Sequence, residues 1–314
     1  MLEIAQEAAR HWGLEGAEIA LAARRENVVY RVSAPAGDYA LRLHRPGYRS
    51  DAELDAELQW MAVLAGGGLD VPEPLATRDG RFMVEVAGHQ VDVLSWVPGA
   101  ALGRAGELQG VEDRPGFCHA LGVAMARLHD ISDAWARPEG FTRPAWDRPG
   151  LLGEAPLWGR FWEHPHLDAS ERALLGRVRV AADDVLSRVE RDADYGLIHA
   201  DLLSENMLWD GGRIYLIDFD DGGFGFRDFE LATFLLRFED VPDYTDLRAA
   251  LCDGYAARRR VKAADLDLFL LLRALTYPGW IAERLDEPGA AERSERAVAT
   301  ALRSAWRWLD RMGG

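Results

Sequence analysis

The densest chemistry in this 314-residue sequence lies between His199 and Asp221. It reads His199-Ala200-Asp201-Leu202-Leu203-Ser204-Glu205-Asn206, then Met207-Leu208-Trp209, the turn Asp210-Gly211-Gly212, and, after Arg213, Ile214-Tyr215-Leu216-Ile217-Asp218-Phe219-Asp220-Asp221. Apolar runs on either side of an Asp-Gly-Gly turn predict a β-hairpin. A hairpin returns the chain on itself, so Asn206 before it and Asp218 after it come within reach of one shared metal ion. An amide oxygen and a carboxylate are hard ligands, which suit magnesium better than zinc or iron. Asp201, just upstream, is then placed to accept a proton from a hydroxyl held near that metal.

The elements that position these residues follow from periodicity. Residues 28–32 and 39–43 read as two strands joined by a turn at Pro35 and Gly37. Ser50-Asp51-Ala52-Glu53 is a capping box that opens a helix, with Leu54, Leu58, Met61 and Ala65 as its apolar stripe and Gly66-Gly67-Gly68 as its stop. Residues 81–86 and 90–97 read as a second strand pair, closed by Pro98-Gly99. Beyond them, helical periodicity runs over 117–130, 170–191, 229–238, 244–260, 265–285 and 290–312. The Pro-, Gly- and Trp-rich stretch 132–167 reads as irregular.

H-x-D-x-x-x-x-N, a hairpin and an apolar-Asp-Phe together resemble the catalytic and metal-binding pattern of protein-kinase-like phosphotransferases. The sequence is most similar to the aminoglycoside phosphotransferase and choline kinase superfamily, and within it to the branch with homoserine kinases and bacterial stress-response serine/threonine kinases. Leu41-Arg42-Leu43-His44-Arg45-Pro46-Gly47-Tyr48-Arg49-Ser50 and Ile217-Asp218-Phe219-Asp220-Asp221-Gly222-Gly223-Phe224-Gly225 carry the likeness to that branch. The resemblance implies an α+β, two-lobed protein-kinase-like fold. A small antiparallel-sheet lobe, residues 1–97, would bind the nucleotide, and a larger helical lobe, residues 98–314, would carry catalysis and acceptor binding, with adenine in the cleft between them. It implies ATP as phosphoryl donor, Mg2+ as the metal, and a small hydroxyl-bearing acceptor. Asp201 would be the catalytic base, His199 would brace its loop, and Asn206 and Asp218 would hold the metal. Ser95, through its carbonyl, and Val97, through its N–H, would pair with the adenine edge. Glu230 stands where an Asp usually anchors the catalytic loop.

Two positions depart from the pattern. Arg42 occupies the place of the ATP-binding lysine; it keeps the charge but with a planar fork in place of an ammonium. Its expected partner is Glu57, one turn inside the helix, because Glu53 is engaged by the capping box. The phosphate-covering loop, Arg24-Arg25-Glu26-Asn27, contains no glycine, so phosphate would be held through side chains or a turn at Asn27.

Composition closes off other classes. At 48% apolar and 28% charged residues the chain is globular. A balance of 36 basic against 52 acidic side chains, net −16, argues against nucleic acid and favours a cationic or zwitterionic small molecule. The single lysine, Lys262, follows no Gly-rich turn, which excludes a P-loop. Cys118 and Cys252 are too few and too far apart for a disulfide scaffold. No apolar run reaches a membrane span and Glu3 and Glu7 break any signal peptide, so a cytoplasmic protein without a membrane partner is expected. His129 reads as a packed structural histidine, His164-Pro165-His166 as a surface loop, and Gly223-Phe224-Gly225 as a false dinucleotide fingerprint. Arg273, Tyr277, Trp280 and Arg284 fall near one helix face, either as core or as a guanidinium for a substrate carboxylate beside aromatic walls. The negative field of the larger lobe, with Asp220, Asp221 and Asp228 near the metal site, would draw in an ammonium. The preferred acceptor therefore bears an amine and a hydroxyl. Rival readings are a serine/threonine protein kinase, a nucleotide-binding module with little turnover, and a metal-dependent hydrolase built on His199, Asp201 and Asp218.

Overall fold

A computed structural model describes residues 1–24 and 27–313. Helix α1, Leu2–Ala9, leads into strands β1, Glu18–Arg24, β2, Val28–Ala34, and β3, Gly37–Leu43; helix α2, Asp51–Gly66, precedes β4, Met83–Val86, and β5, His89–Ser95. The five strands form one antiparallel sheet in the order β1-β2-β3-β5-β4. Side chains alternate across a strand. Leu41 and Leu43 of β3 and Val91 and Val93 of β5 therefore share one face, in a core with Ala5 and Ala8 of α1. Arg42 and Asp92, directly opposite each other in register, share the other face, where Glu57 of α2 meets Arg42. The capping box is present: Ser50 accepts from the Glu53 N–H and the Glu53 carboxylate accepts from the Ser50 N–H. Within this sheet, strand β1 is the strand that periodicity misses. Glu-Ile-Ala-Leu-Ala-Ala-Arg has no two-residue alternation because the strand lies on the sheet edge, mostly exposed, with a bulge between Leu21 and Ala23.

The remaining elements are β6, Ala100–Ala101; α3, Arg114–Ala134; β7, Ala145–Trp146; α4, Arg148–Leu152; α5, Ala169–Val189; β8, Tyr195–Ile198; β9, Met207–Trp209; β10, Ile214–Leu216; β11, Gly223–Phe226; α6, Arg227–Leu235; α7, Tyr244–Ala256; α8, Ala263–Ala282; and α9, Ala290–Gly313. The expected hairpin is β9–β10, with Ile214 opposite Trp209, extended by β6 into a three-stranded sheet. A further small sheet, β7-β11-β8, contains the Gly223-Phe224-Gly225 stretch. Its glycines serve close packing: a Cβ on Gly223 would stand 2.3 Å from the Pro144 carbonyl oxygen. The stretch 132–167 is less irregular than expected, since α3 continues to Ala134 and β7 and α4 lie within it.

Contacts group the chain into two units that do not follow one cut in the sequence. A sheet unit comprises Met1–Leu102, Asp130–Arg143 and Glu205–Asp220; a helical unit comprises Gly103–His129, Pro144–Ser204 and Asp221–Gly314. The helical unit is organised around α6, every residue of which is buried, Arg227, Asp228 and Glu230 included. Among the described residues no helix is long and apolar enough to cross a membrane.

Candidate active site

In the sheet unit, Arg42 is buried and held on three sides. Its Nε and Nη2 donate to the two oxygens of Asp92 at 2.8 and 2.9 Å, and its Nη1 donates to Glu57 Oε1 at 3.0 Å. His44 Nε2 lies 2.5 Å from Asp92 Oδ2. Arg143 closes the cluster, with Nη1 at 3.4 Å from Glu57 Oε2 and Nη2 donating to the carbonyls of Phe219 and Asp220 at 2.8 Å each. Burial works to raise both carboxylates, but the guanidiniums outweigh it. Asp92 is held down at about 2 by Arg42 and His44, and Glu57 falls below its usual value beside Arg42 and Arg143. Asp220 moves the other way, raised by burial and by Glu57.

The hairpin brings the candidate metal ligands to one end. The Ile217 N–H donates to the Asn206 carbonyl at 3.0 Å, so Asp218 follows directly on the residue bonded to Asn206. Asp218 has a positive φ of 66°, which turns its side chain out of the strand path, while Phe219 is buried edge-on against Trp60. An exposed carboxylate and an amide oxygen at one hairpin end fit magnesium, which takes one or two protein oxygens and fills its sphere with water and phosphate.

The expected adenine edge is fixed by its neighbours. Ser95 N–H donates to the Glu73 carbonyl and Ser95 Oγ accepts from the Glu73 N–H, both at 2.8 Å, while Trp96 N–H donates to Asp38 at 3.1 Å. Val97 continues from this anchored strand end. In the loop expected to cover phosphate, Asn27 Oδ1 accepts from the Arg45 N–H at 3.3 Å. Arg25 and Glu26 of that loop lie outside the described residues.

The helical unit holds the other half of the expected constellation. Both oxygens of Glu230 accept backbone N–H groups, from His199 and Ala200, at 2.8 Å each. They hold Ala200 at φ 66°, an uncommon conformation for a residue with a Cβ, and so fix the chain entering Asp201. Burial pushes the Glu230 carboxyl up to about 7 against those two donors. His199 is fully buried, and its Nδ1 lies 3.4 Å from the Asp201 N–H. The Asp201 side chain keeps 18% exposure, and its Oδ1 accepts from Arg273 Nη2 at 2.6 Å.

Around Arg273 stands an aromatic ledge. Trp158 packs edge-on against Tyr277 and tilted against Trp280, and Tyr277 and Trp280 stack at 5.4 Å. His129 is a packed residue as expected, its Nδ1 bonded to the Tyr255 hydroxyl at 2.8 Å and its pKa lowered by burial and then by Arg227 and Arg259. His164 and His166 are not a loose surface loop: the Ser294 hydroxyl joins them, and His164 is buried. The expected contribution of Asp228 to a negative field needs correction. Burial, with Asp265 and Asp194 nearby, raises its carboxyl to about 7, so it is only partly charged at neutral pH.

Residues 18–264 match the phosphotransferase enzyme family. The chain belongs to that family. A microcompartment-associated aminopropanol kinase of known structure is 32% identical, superposes with a TM-score of 0.81, and is covered over 98% of its length by 99% of this chain. An amicoumacin kinase solved with AMP-PNP and Ca2+ shares the fold at a TM-score of 0.76 and 20% identity, over 96% of this chain and 93% of that one. Homoserine kinase of Brucella abortus (strain S19) is 26% identical, over 79% of this chain and 72% of its own length. The chain is thus a phosphotransferase of protein-kinase-like α+β fold that uses ATP to phosphorylate a hydroxyl on a small molecule.

Sequence reasoning reached Arg42, Glu57, Asn206, Asp218, His199, Asp201 and Glu230. It missed Asp92, His44 and Arg143. Asp92 could have been found: it is an acid at the centre of its strand, between Val91 and Val93 and on the opposite side. Arg143 carried no such signal, because it comes from a stretch without periodicity.

Proposed function

We propose that this chain binds Mg·ATP and transfers the γ-phosphoryl group in line to the hydroxyl of a small acceptor that also carries an amine. Asp201 accepts the hydroxyl proton, and His199 and Glu230 hold its loop. Asn206 and Asp218 hold the magnesium, which when bound neutralises charge on the phosphates. Arg42 faces the phosphates with the second N–H of each terminal nitrogen, while Glu57 and Asp92 fix its plane. The Ser95 carbonyl and Val97 N–H take the adenine edge, and Asn27 lies beside the phosphates. Residues 1–97 supply nucleotide binding and residues 98–314 catalysis and acceptor binding. The protein works in the cytoplasm. The amine-bearing acceptor is supported by the aminopropanol and homoserine kinases to which the chain is similar.

The observation that carries the reading is the loop at 199–201. Its backbone is pinned by two bonds to one buried carboxylate, yet it leaves the Asp201 side chain partly exposed, as a positioned base requires. The test is ATP consumption with magnesium against amino alcohols, hydroxy amino acids, aminoglycosides and casein. One of the small acceptors should be phosphorylated. Asp201→Asn should lower that turnover by about 10²–10⁴, because the amide keeps the shape but takes no proton, while Mg·ATP binding persists. Casein as the only acceptor, or full turnover by Asp201→Asn, would count against it.

A further inference from the structure

Arg273 is 2% exposed and uses one terminal nitrogen on Asp201; the other, Nη1, is buried with no hydrogen-bond partner. A buried N–H without an acceptor is costly, so such a donor stands out in a folded chain. Its position is fixed rather than loose, since the guanidinium carbon lies 4.7 Å from the Trp158 ring centroid and 6.0 Å from that of Phe229. Arg237 repeats the arrangement one ring further on. Its guanidinium carbon lies 5.3 Å from the Tyr277 centroid, and its Nε is likewise buried and unpartnered. Trp158 and Tyr277 meet with centroids 6.2 Å apart, so the two unfilled guanidinium donors stand on adjoining rings, and Arg273 is the one bonded to Asp201.

We propose that Arg273 and Arg237 form an anion-recognition site for the acceptor. The acceptor is then a short hydroxy acid whose carboxylate docks here and whose hydroxyl reaches Asp201. The proposal rests on the reading of Asp201 as the base and deepens it by naming the substrate class. A carboxylate presents two oxygens with lone pairs to spare for both guanidiniums. An ammonium does not fit the same place. Trp158, Tyr277 and Trp280 would attract it through their faces, but Arg273 and Arg237 already cover the first two, and Arg284 stacks on Trp280 at 4.3 Å. An amine on the acceptor therefore belongs away from this ledge, as in a hydroxy amino acid. Because Arg273 bonds Asp201 through the neighbouring nitrogen, the docked carboxylate lies one guanidinium width from the base. Only a few carbon atoms can separate it from the reacting hydroxyl.

The test uses acceptor pairs that differ by the carboxylate alone: L-threonine against 1-amino-2-propanol, L-homoserine against 3-aminopropan-1-ol, and L-serine against ethanolamine. The wild-type enzyme should prefer the acid of at least one pair by about 10-fold or more in kcat/KM, chiefly through KM, the scale of one charge-assisted hydrogen bond. Arg237→Gln and Arg273→Gln should erase that preference, and Arg273→Lys should restore part of it. Arg237 is half-buried, so its variant remains informative if Arg273→Gln misfolds. Preference for the amino alcohols, or equal losses for both members of every pair, would overturn the proposal. Calorimetric titration of the preferred acid in the presence of AMP-PNP separates the two readings. Binding that weakens in Arg237→Gln supports the anion site even if no phosphoryl transfer occurs, whereas failure of every hydroxy acid to bind would overturn it.

Discussion

Arg42 shares its charge between two carboxylates, which explains why an arginine stands where related kinases carry a lysine. An ammonium could meet Glu57, but it could not also close the two-point fork with Asp92, which is fully buried and held at about 2. The substitution and the acid on β5 therefore form one device. The sequence revealed its first half through the strand pattern and its second half only once register placed Asp92 opposite Arg42. Arg42→Lys should then lower stability by about 1–3 kcal/mol and reduce turnover, because Asp92 retains a buried charge with an inferior partner. Arg42→Lys combined with Asp92→Asn should recover part of both losses, since the amide needs no counter-charge and the lysine can serve Glu57 alone. Chemical denaturation and steady-state kinetics of the single and double variants form the check. A double variant no better than Arg42→Lys would show that the two residues act independently.

Among the elements, those with a strong period were legible: the capped helix α2, the β9–β10 hairpin, and the long helices α5 and α9. Edge strand β1 and the four-residue strands β8 and β11 were not, because exposure removes alternation in the first and length and glycine content hide the others. Helix crossings were equally silent, although glycine marks one of them. A Cβ on Gly122 of α3 would come 2.2 Å from the Leu251 carbonyl oxygen of α7, and a Cβ on Gly254 of α7 would come 2.0 Å from that of His119 in α3. Both obstacles are backbone and cannot rotate away. Gly254→Ala should therefore lower stability by about 1–3 kcal/mol or more through overpacking. Gly176→Ala is the control: this helical glycine in α5 has nothing within 4 Å of its Cβ position, so alanine should stabilise by up to about 1 kcal/mol. Thermal melts of the two variants should move in opposite directions, and a neutral Gly254→Ala would refute the close-crossing account.

Across the whole molecule, burial of charge sets pH responses of both signs. In the sheet unit the Asp92 and Glu57 pKa values are depressed, so their contribution is complete above the unfolded carboxylate range of about 4 and is lost as pH falls through the folded values. In the helical unit Asp228 and Glu230 are raised to about 7, which reverses the sign. Their contribution is complete below about pH 4 and is lost progressively as pH rises to about 7, because the unfolded carboxyls ionise from about pH 4 while the buried ones stay protonated. His129 and His164, both lowered, favour the fold as pH climbs toward about 6.5 and so offset the carboxyl loss over that interval. The sum predicts a broad stability maximum between about pH 5 and 6.5, a fall below about 4, and a second fall through neutrality. The net charge of −16 steepens the alkaline side by self-repulsion. Asp228→Asn removes one ionisation and should raise stability at pH 8 by on the order of 4 kcal/mol, against only about 1.5 kcal/mol at pH 5. Melting temperatures of both proteins from pH 3.5 to 8.5 test this; a wild-type value still climbing between pH 6.5 and 8, or an Asp228→Asn curve parallel to it, would mean that these buried carboxyls do not govern the response.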